Sequence, residues 1–166
     1  MRSKSLFNLT AIFLMLLINS GISFASIGSQ RNDKELRNLL EKAVSDTTSF
    51  EGKFDAEVWL VDMSNRLKKR VKDPQKRLEL LKLVHLEATR AELEPELVLA
   101  VIQVESNFRK YAISRVGARG LMQIMPFWLD EIGKPDDDLF DIQTNLRFGC
   151  TILKHYLNKE KGNLTR

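Results

Sequence analysis

The 166 residues carry 43% hydrophobic and 29% charged side chains and a formal net charge of +4. This composition suits one globular domain with a single core. Arg2 and Lys4 fall in an N-terminal leader, and without them the net charge is about +2. That is too small to argue for a nucleic-acid partner. With Cys150 as the one cysteine, no intramolecular disulfide can form.

Residues 1–25 read as a secretory signal peptide. The positive start is followed by an apolar run over 6–18, and Ser23-Phe24-Ala25 gives a small-x-small cleavage site. The alternative is an uncleaved anchor, for which the run is short against the roughly 20 residues of a span. Beyond a polar stretch at 26–32, helices are expected at 33–44 and 54–72. In the second, Ala56, Trp59, Leu60, Met63, Leu67 and Val71 recur at helical spacing. Asp73-Pro74 restarts the chain as N-cap and first helical residue. The helix over 75–91 should bury Leu80, Leu81, Val84, Ala88 and Ala91. His85 and Glu87, two apart, face different ways and make no metal site.

The helix opened by Pro95 is expected to run to about residue 108. Residues 97–102 are apolar on every side, which places it in the middle of the domain. A loop with Gly117 and Gly120 leads to short helices over 121–125 and 127–132, separated by Pro126. A last helix spans 141–158, with Leu146, Gly149, Ile152, Leu153 and Tyr156 inward. Gly149 marks a close helix approach, and Cys150 is expected to be a buried structural thiol. The fold class is all-α. Residues 26–72 form an N-terminal helical extension and 73–166 the main domain.

Glu105 is the candidate for acid–base chemistry. It follows Val98, Val101 and Ile102 at helical spacing and shares their face. A carboxyl held against apolar surface resists ionisation and can donate a proton near neutral pH. The alternative is a half-solvated carboxylate at a helix end. Gln123 lies among Met122, Ile124 and Met125, where its amide could meet a sugar hydroxyl or bond to loop backbone. Tyr111 and Trp128 could stack on sugars or fill the core or its rim.

Glu105-Ser106, then Ser114, then the run Gly117-Ala118-Arg119-Gly120-Leu121-Met122-Gln123-Ile124-Met125-Pro126, resembles the lytic transglycosylases of the soluble-lytic-transglycosylase type. The resemblance covers about residues 81–162 and includes Asn145-Leu146-Arg147-Phe148-Gly149. It implies a lysozyme-like helical domain of the goose type. It also implies cleavage of the β-1,4 bond between N-acetylmuramic acid and N-acetylglucosamine, leaving a 1,6-anhydromuramyl end. Glu105 would be the sole catalytic acid, then base. Ser114 and Gln123 would contact the sugar, Met125 would line the groove, and Ser106 would support the helix end. The partner implied is the peptidoglycan glycan strand, met by a monomer in the periplasm of a Gram-negative type envelope. No cofactor, metal, nucleic acid or membrane span after leader removal is expected.

The family carries an Ala-x-x-x-Tyr-Asn-x-Gly segment shortly after the helix that ends near Tyr156, and no such motif occurs before Arg166. The domain is therefore expected to be incomplete at its C-terminus. Two other readings stand beside the transglycosylase. One is a hydrolytic muramidase, with Asp136, Asp137, Asp138 or Asp141 as second acid. The other is an inactive peptidoglycan-binding fragment.

Overall fold

A computed structural model describes residues 38–40, 43, 49, 50 and 52–160. The signal peptide, the stretch at 26–32, most of the helix expected at 33–44 and residues 161–166 lie outside the described residues. The chain divides into two compact units, Met1–Asn38 and Leu39–Arg166. Of the first only Asn38, which is helical, is described, so the following concerns the second.

Five complete helices appear among the described residues: α1 Lys53–Leu67, α2 Pro74–Arg90, α3 Pro95–Glu105, α4 Phe127–Ile132 and α5 Ile142–Lys159. Residues 38–40 and 43 are also helical, with Leu40 and Ala43 buried. The described residues hold no strand, only isolated bridges. The all-α expectation therefore holds. None of the described helices is long and apolar enough to cross a membrane.

Local chemistry accounts for the helix starts. The Asp73 carboxylate accepts from the backbone N–H groups of Gln75 (2.9 Å) and Lys76 (3.1 Å), and Pro74 takes the first helical position. Asp141 caps α5 in the same way, accepting from Thr144 N at 2.8 Å. That acceptor role holds its carboxyl below the usual aspartate range.

Helix α2 is the axis of the unit and packs against α1, α3 and α5. Its Leu78, Leu80, Leu81, Val84 and Ala88 are buried, together with Leu60 of α1, Val98 and Ile102 of α3 and Leu146 of α5. Among the buried polar residues is Glu87, whose side chain is wholly inaccessible. It accepts from Arg90 Nε of its own helix (2.6 Å) and from Arg147 Nη2 of α5 (3.0 Å). Burial pushes this carboxyl up, but the bonds from Arg147 and Arg90 outweigh it and hold it below the usual glutamate range. The two guanidiniums are half-exposed, so one buried carboxylate ties the α2–α5 seam through the water-facing sides of its partners.

The structure corrects several expectations. Helix α1 ends at Leu67, not Lys72, because residues 68–73 form a turn and a linker into the Asp73 cap. Helix α3 ends at Glu105 and, among the described residues, is not covered on every side. Val98, Leu99 and Ile102 are buried, whereas Ala100 is exposed and Val104 is 84% exposed. Among the described residues, an all-round apolar sequence here buries one side alone. Tyr156 is exposed, not inward. Residues 121–123 form a turn and Ile124 an isolated bridge, not a helix.

Candidate active site around Glu105

Glu105 is the last residue of α3 and is exposed. The apolar face on which its acid character was argued does not reach it. Val98 and Ile102 turn into the core, Val101 is half-buried, and the chain leaves the helix one residue later. The expectation of a carboxyl held against apolar surface is corrected on that ground. The position at the negative end of the helix dipole remains.

The helix end is built with care. Ser106 is buried, and its hydroxyl donates to Ile102 O at 3.1 Å, as does its backbone N–H at 3.1 Å. Asn107 N donates to Gln103 O at 3.2 Å. The chain then passes through two successive left-handed residues, Asn107 (φ 52) and Phe108 (φ 63). This conformation costs roughly 1–2 kcal/mol for a residue with a Cβ, and less for Asn. Burial of the Phe108 ring helps to hold it. Arg109 then reaches back, its Nε donating to Ser106 O at 3.0 Å.

Residues 109–125 follow as a loop stitched by its own backbone. Ser114 N donates to Ala118 O (2.9 Å), and the Ser114 hydroxyl accepts from Ala118 N (3.0 Å). Arg119 and Ile124 exchange two backbone bonds of 2.9 Å, closing a tight hairpin over residues 120–123. Gly120 (φ 78) and Gln123 (φ 49) supply its left-handed turns, and these exclude the helix that the apolar run 121–125 invites. Gln123 is half-buried, and its Nε2 donates to Gly120 O (2.9 Å) and Ala112 O (3.2 Å). Of the two roles left open for this amide, its nitrogen takes the structural one. Met125 is half-buried at the loop's exit. An open cleft of about 420 Å³ runs along Arg109, Lys110, Tyr111, Ala112 and Ile113.

Sequence reasoning named Asn145 within the resembling segment but gave it no role, and it organises this loop from below. It is buried on α5, accepts from Met122 N (2.8 Å), and donates to Arg119 O (3.0 Å) and Leu139 O (2.8 Å). Gly120 has no room for a Cβ, which would stand 2.3 Å from Asn145 Nδ2. One turn on, a Cβ at Gly149 would stand 2.2 Å from Met122 Sδ. The close approach at Gly149 is thus made by a loop methionine, not by a second helix. The available signal was the helical spacing of Asn145 and Gly149, a polar group and a gap on one core-facing side.

The other residues singled out are placed as follows. Tyr111 is exposed, tilted against Phe140 at 5.9 Å, with Lys110 Nζ 5.1 Å from its ring centre. Trp128 is half-buried beside Phe127. Asp137, Asp138 and Asp141 each accept a nearby backbone N–H, from Lys134, Phe140 and Thr144 respectively, at 2.8 Å. Asp136 is exposed.

A family model described as the transglycosylase SLT domain matches residues 82–166. Two curated relatives are the membrane-bound lytic murein transglycosylases C of Yersinia pestis (strain Pestoides F) and Yersinia pseudotuberculosis serotype O:1b (strain IP 31758). Each is 34% identical over 93 residues, which is 51% of this chain and 26% of the relative. The chain thus spans about a quarter of their length. Among solved structures, an inactive mutant of the lytic transglycosylase Slt from Pseudomonas aeruginosa aligns with a TM-score of 0.46 and 21% identity, over 76% of this chain and 28% of that one. With half its length matched by the family model, this chain belongs to the transglycosylase SLT domain family.

Proposed function

We propose that this chain is a peptidoglycan lytic transglycosylase acting in the periplasm, with residues 73–166 carrying the reaction. The observation that carries the proposal is the placement of Glu105. It is a solvent-accessible carboxyl at the end of α3, held by the buried Ser106 and followed directly by the hydrogen-bonded loop bearing Ser114 and Gln123. Membership of the SLT family supports it.

In this reading Glu105 first gives its proton to the glycosidic oxygen, and the bond from muramyl C1 to that oxygen breaks. The N-acetylglucosamine leaves as an alcohol. The muramyl C6 hydroxyl oxygen then bonds to C1, and its proton returns to Glu105. No water is consumed, and the product is a 1,6-anhydro end. One carboxyl suffices because the nucleophile belongs to the substrate. Ser114 and the Gln123 Oε1 face of the amide bind the sugar next to the broken bond, and Met125 lines the groove. Ser106 holds the helix end in place.

Peptidoglycan digested with the purified protein should release anhydromuramyl products, identified by mass spectrometry. Glu105→Gln keeps the side-chain shape and removes the transferable proton. It should abolish release while the melting temperature stays within about a degree, as expected for an exposed substitution. Reducing muramic acid ends without the anhydro form would show hydrolysis instead. Peptidoglycan that is bound but left intact would reject catalysis.

A further inference from the structure

Helix α1 precedes the family match, which begins at residue 82. Yet the chain around α1 meets α3 at separate points near its two ends. At the first turn of α3, Trp59 Nε1 donates to Glu96 Oε1 at 2.6 Å. Midway, Met63 and Leu67 face Leu99, Gln103 and Phe108 across a cleft of about 220 Å³. Just past the last turn, Arg70 Nη1 donates to Asn107 Oδ1 at 2.5 Å.

The third contact reaches the residue on which the end of α3 depends. Asn107 begins the left-handed turn, and its backbone N–H closes the last helical turn onto Gln103. Should that turn relax, the final carbonyls of α3 lose their partners and the helix frays from its end. Glu105, its last residue, would be the first to lose a defined direction. Ser106 and Arg109 hold the turn from within. Arg70 holds it from a separate element.

We infer that Arg70 is a positioning residue for Glu105, acting by fixing the side chain of Asn107 in the left-handed turn. The inference rests on the reading of Glu105 as the acid and base. It assigns the segment before the family match a part in the reaction without any contact to the sugar.

The test measures anhydromuropeptide release by the full chain and by its Arg70→Ala, Arg70→Lys, Lys69→Ala and Glu105→Gln variants. Arg70→Ala should lower kcat by about tenfold or more, the scale of a small misplacement of a reacting group, with KM changed less than about twofold. Arg70→Lys keeps one donor and should retain most of kcat, and Lys69→Ala should match the parent. Adding Asn107→Gly to Arg70→Ala should recover part of kcat, because glycine adopts the left-handed turn unaided. Circular dichroism and active-protein titration separate lost folding from lost turnover per folded molecule. Parental kcat in Arg70→Ala beside a dead Glu105→Gln defeats the inference alone. So does an equal loss with and without Asn107→Gly. An active Glu105→Gln defeats the reading of Glu105, and this inference with it.

Discussion

At the scale of single residues, the loop beyond Glu105 depends on a side chain with no chemical role. Asn145 fills its amide with one accepted and two donated bonds, all to backbone groups: Met122 and Arg119 in the loop and Leu139 just before α5. Asn145→Ala leaves buried donors and acceptors without partners and should cost about 3 kcal/mol, read as a lower urea midpoint. Gly120→Ala should cost at least as much. Its Cβ would collide with Asn145 and with Leu139 O at 2.5 Å, on a left-handed backbone that disfavours it. Both variants should also lower turnover, since the hairpin carrying Gln123 rests on this contact. The legibility of these residues differs for a physical reason. Glu105, Ser114 and Gln123 are picked out by their spacing within the resembling motif, and their roles belong to the proposal above. Asn145 was given no role of its own, because a buried asparagine is specified by the groups it meets, two of which lie 23 and 26 residues away.

At the scale of elements, periodicity was a good guide where a helix has one dry face. The expected 75–91 and 141–158 became Pro74–Arg90 and Ile142–Lys159, because Asp73 and Asp141 caps mark their starts. It failed where turn geometry overrides composition. Residues 121–125 are as apolar as a helix, yet left-handed Gly120 and Gln123 close a hairpin instead. It also failed for α3, where apolar character says that a face can be covered but not that a neighbour covers it. The seam between α2 and α5 makes a sharper prediction. Glu87→Ala removes the buried centre of the Arg90–Glu87–Arg147 triad and should destabilise the fold by about 3 kcal/mol, the low end for a broken buried pair, because both arginines can rehydrate. Chemical denaturation measures it.

At the scale of the molecule, His85 and Glu87 contribute to the acid limit of the described fold, beside the Asp141 cap. His85 is stacked on Phe50 at 3.5 Å, lies edge-on to Trp59 and bonds to Ser49 Oγ at 2.9 Å. Burial pushes it below its ordinary value of 6.5, against the opposing pull of Glu96. A lowered folded value means that the unfolded chain binds the proton better. The stability His85 contributes is therefore present above about pH 6.5 and is lost as pH falls toward the folded value. Glu87, held below its ordinary 4.5, adds a second loss that begins under that pH. Melting temperature against pH should be flat near neutrality and then fall in two stages, and His85→Gln should remove the upper one. Cys150 offers an independent reading of the same opening. Its thiol is buried on α5, and burial pushes it up to about 12. The thiolate is the form that attacks a thiol reagent, so the native molecule is closed to such reagents by access and by ionisation together. The rate at which a bulky maleimide labels this chain is thus a clock for the unsealing of the α2–α5 seam, and every variant above can be timed by it.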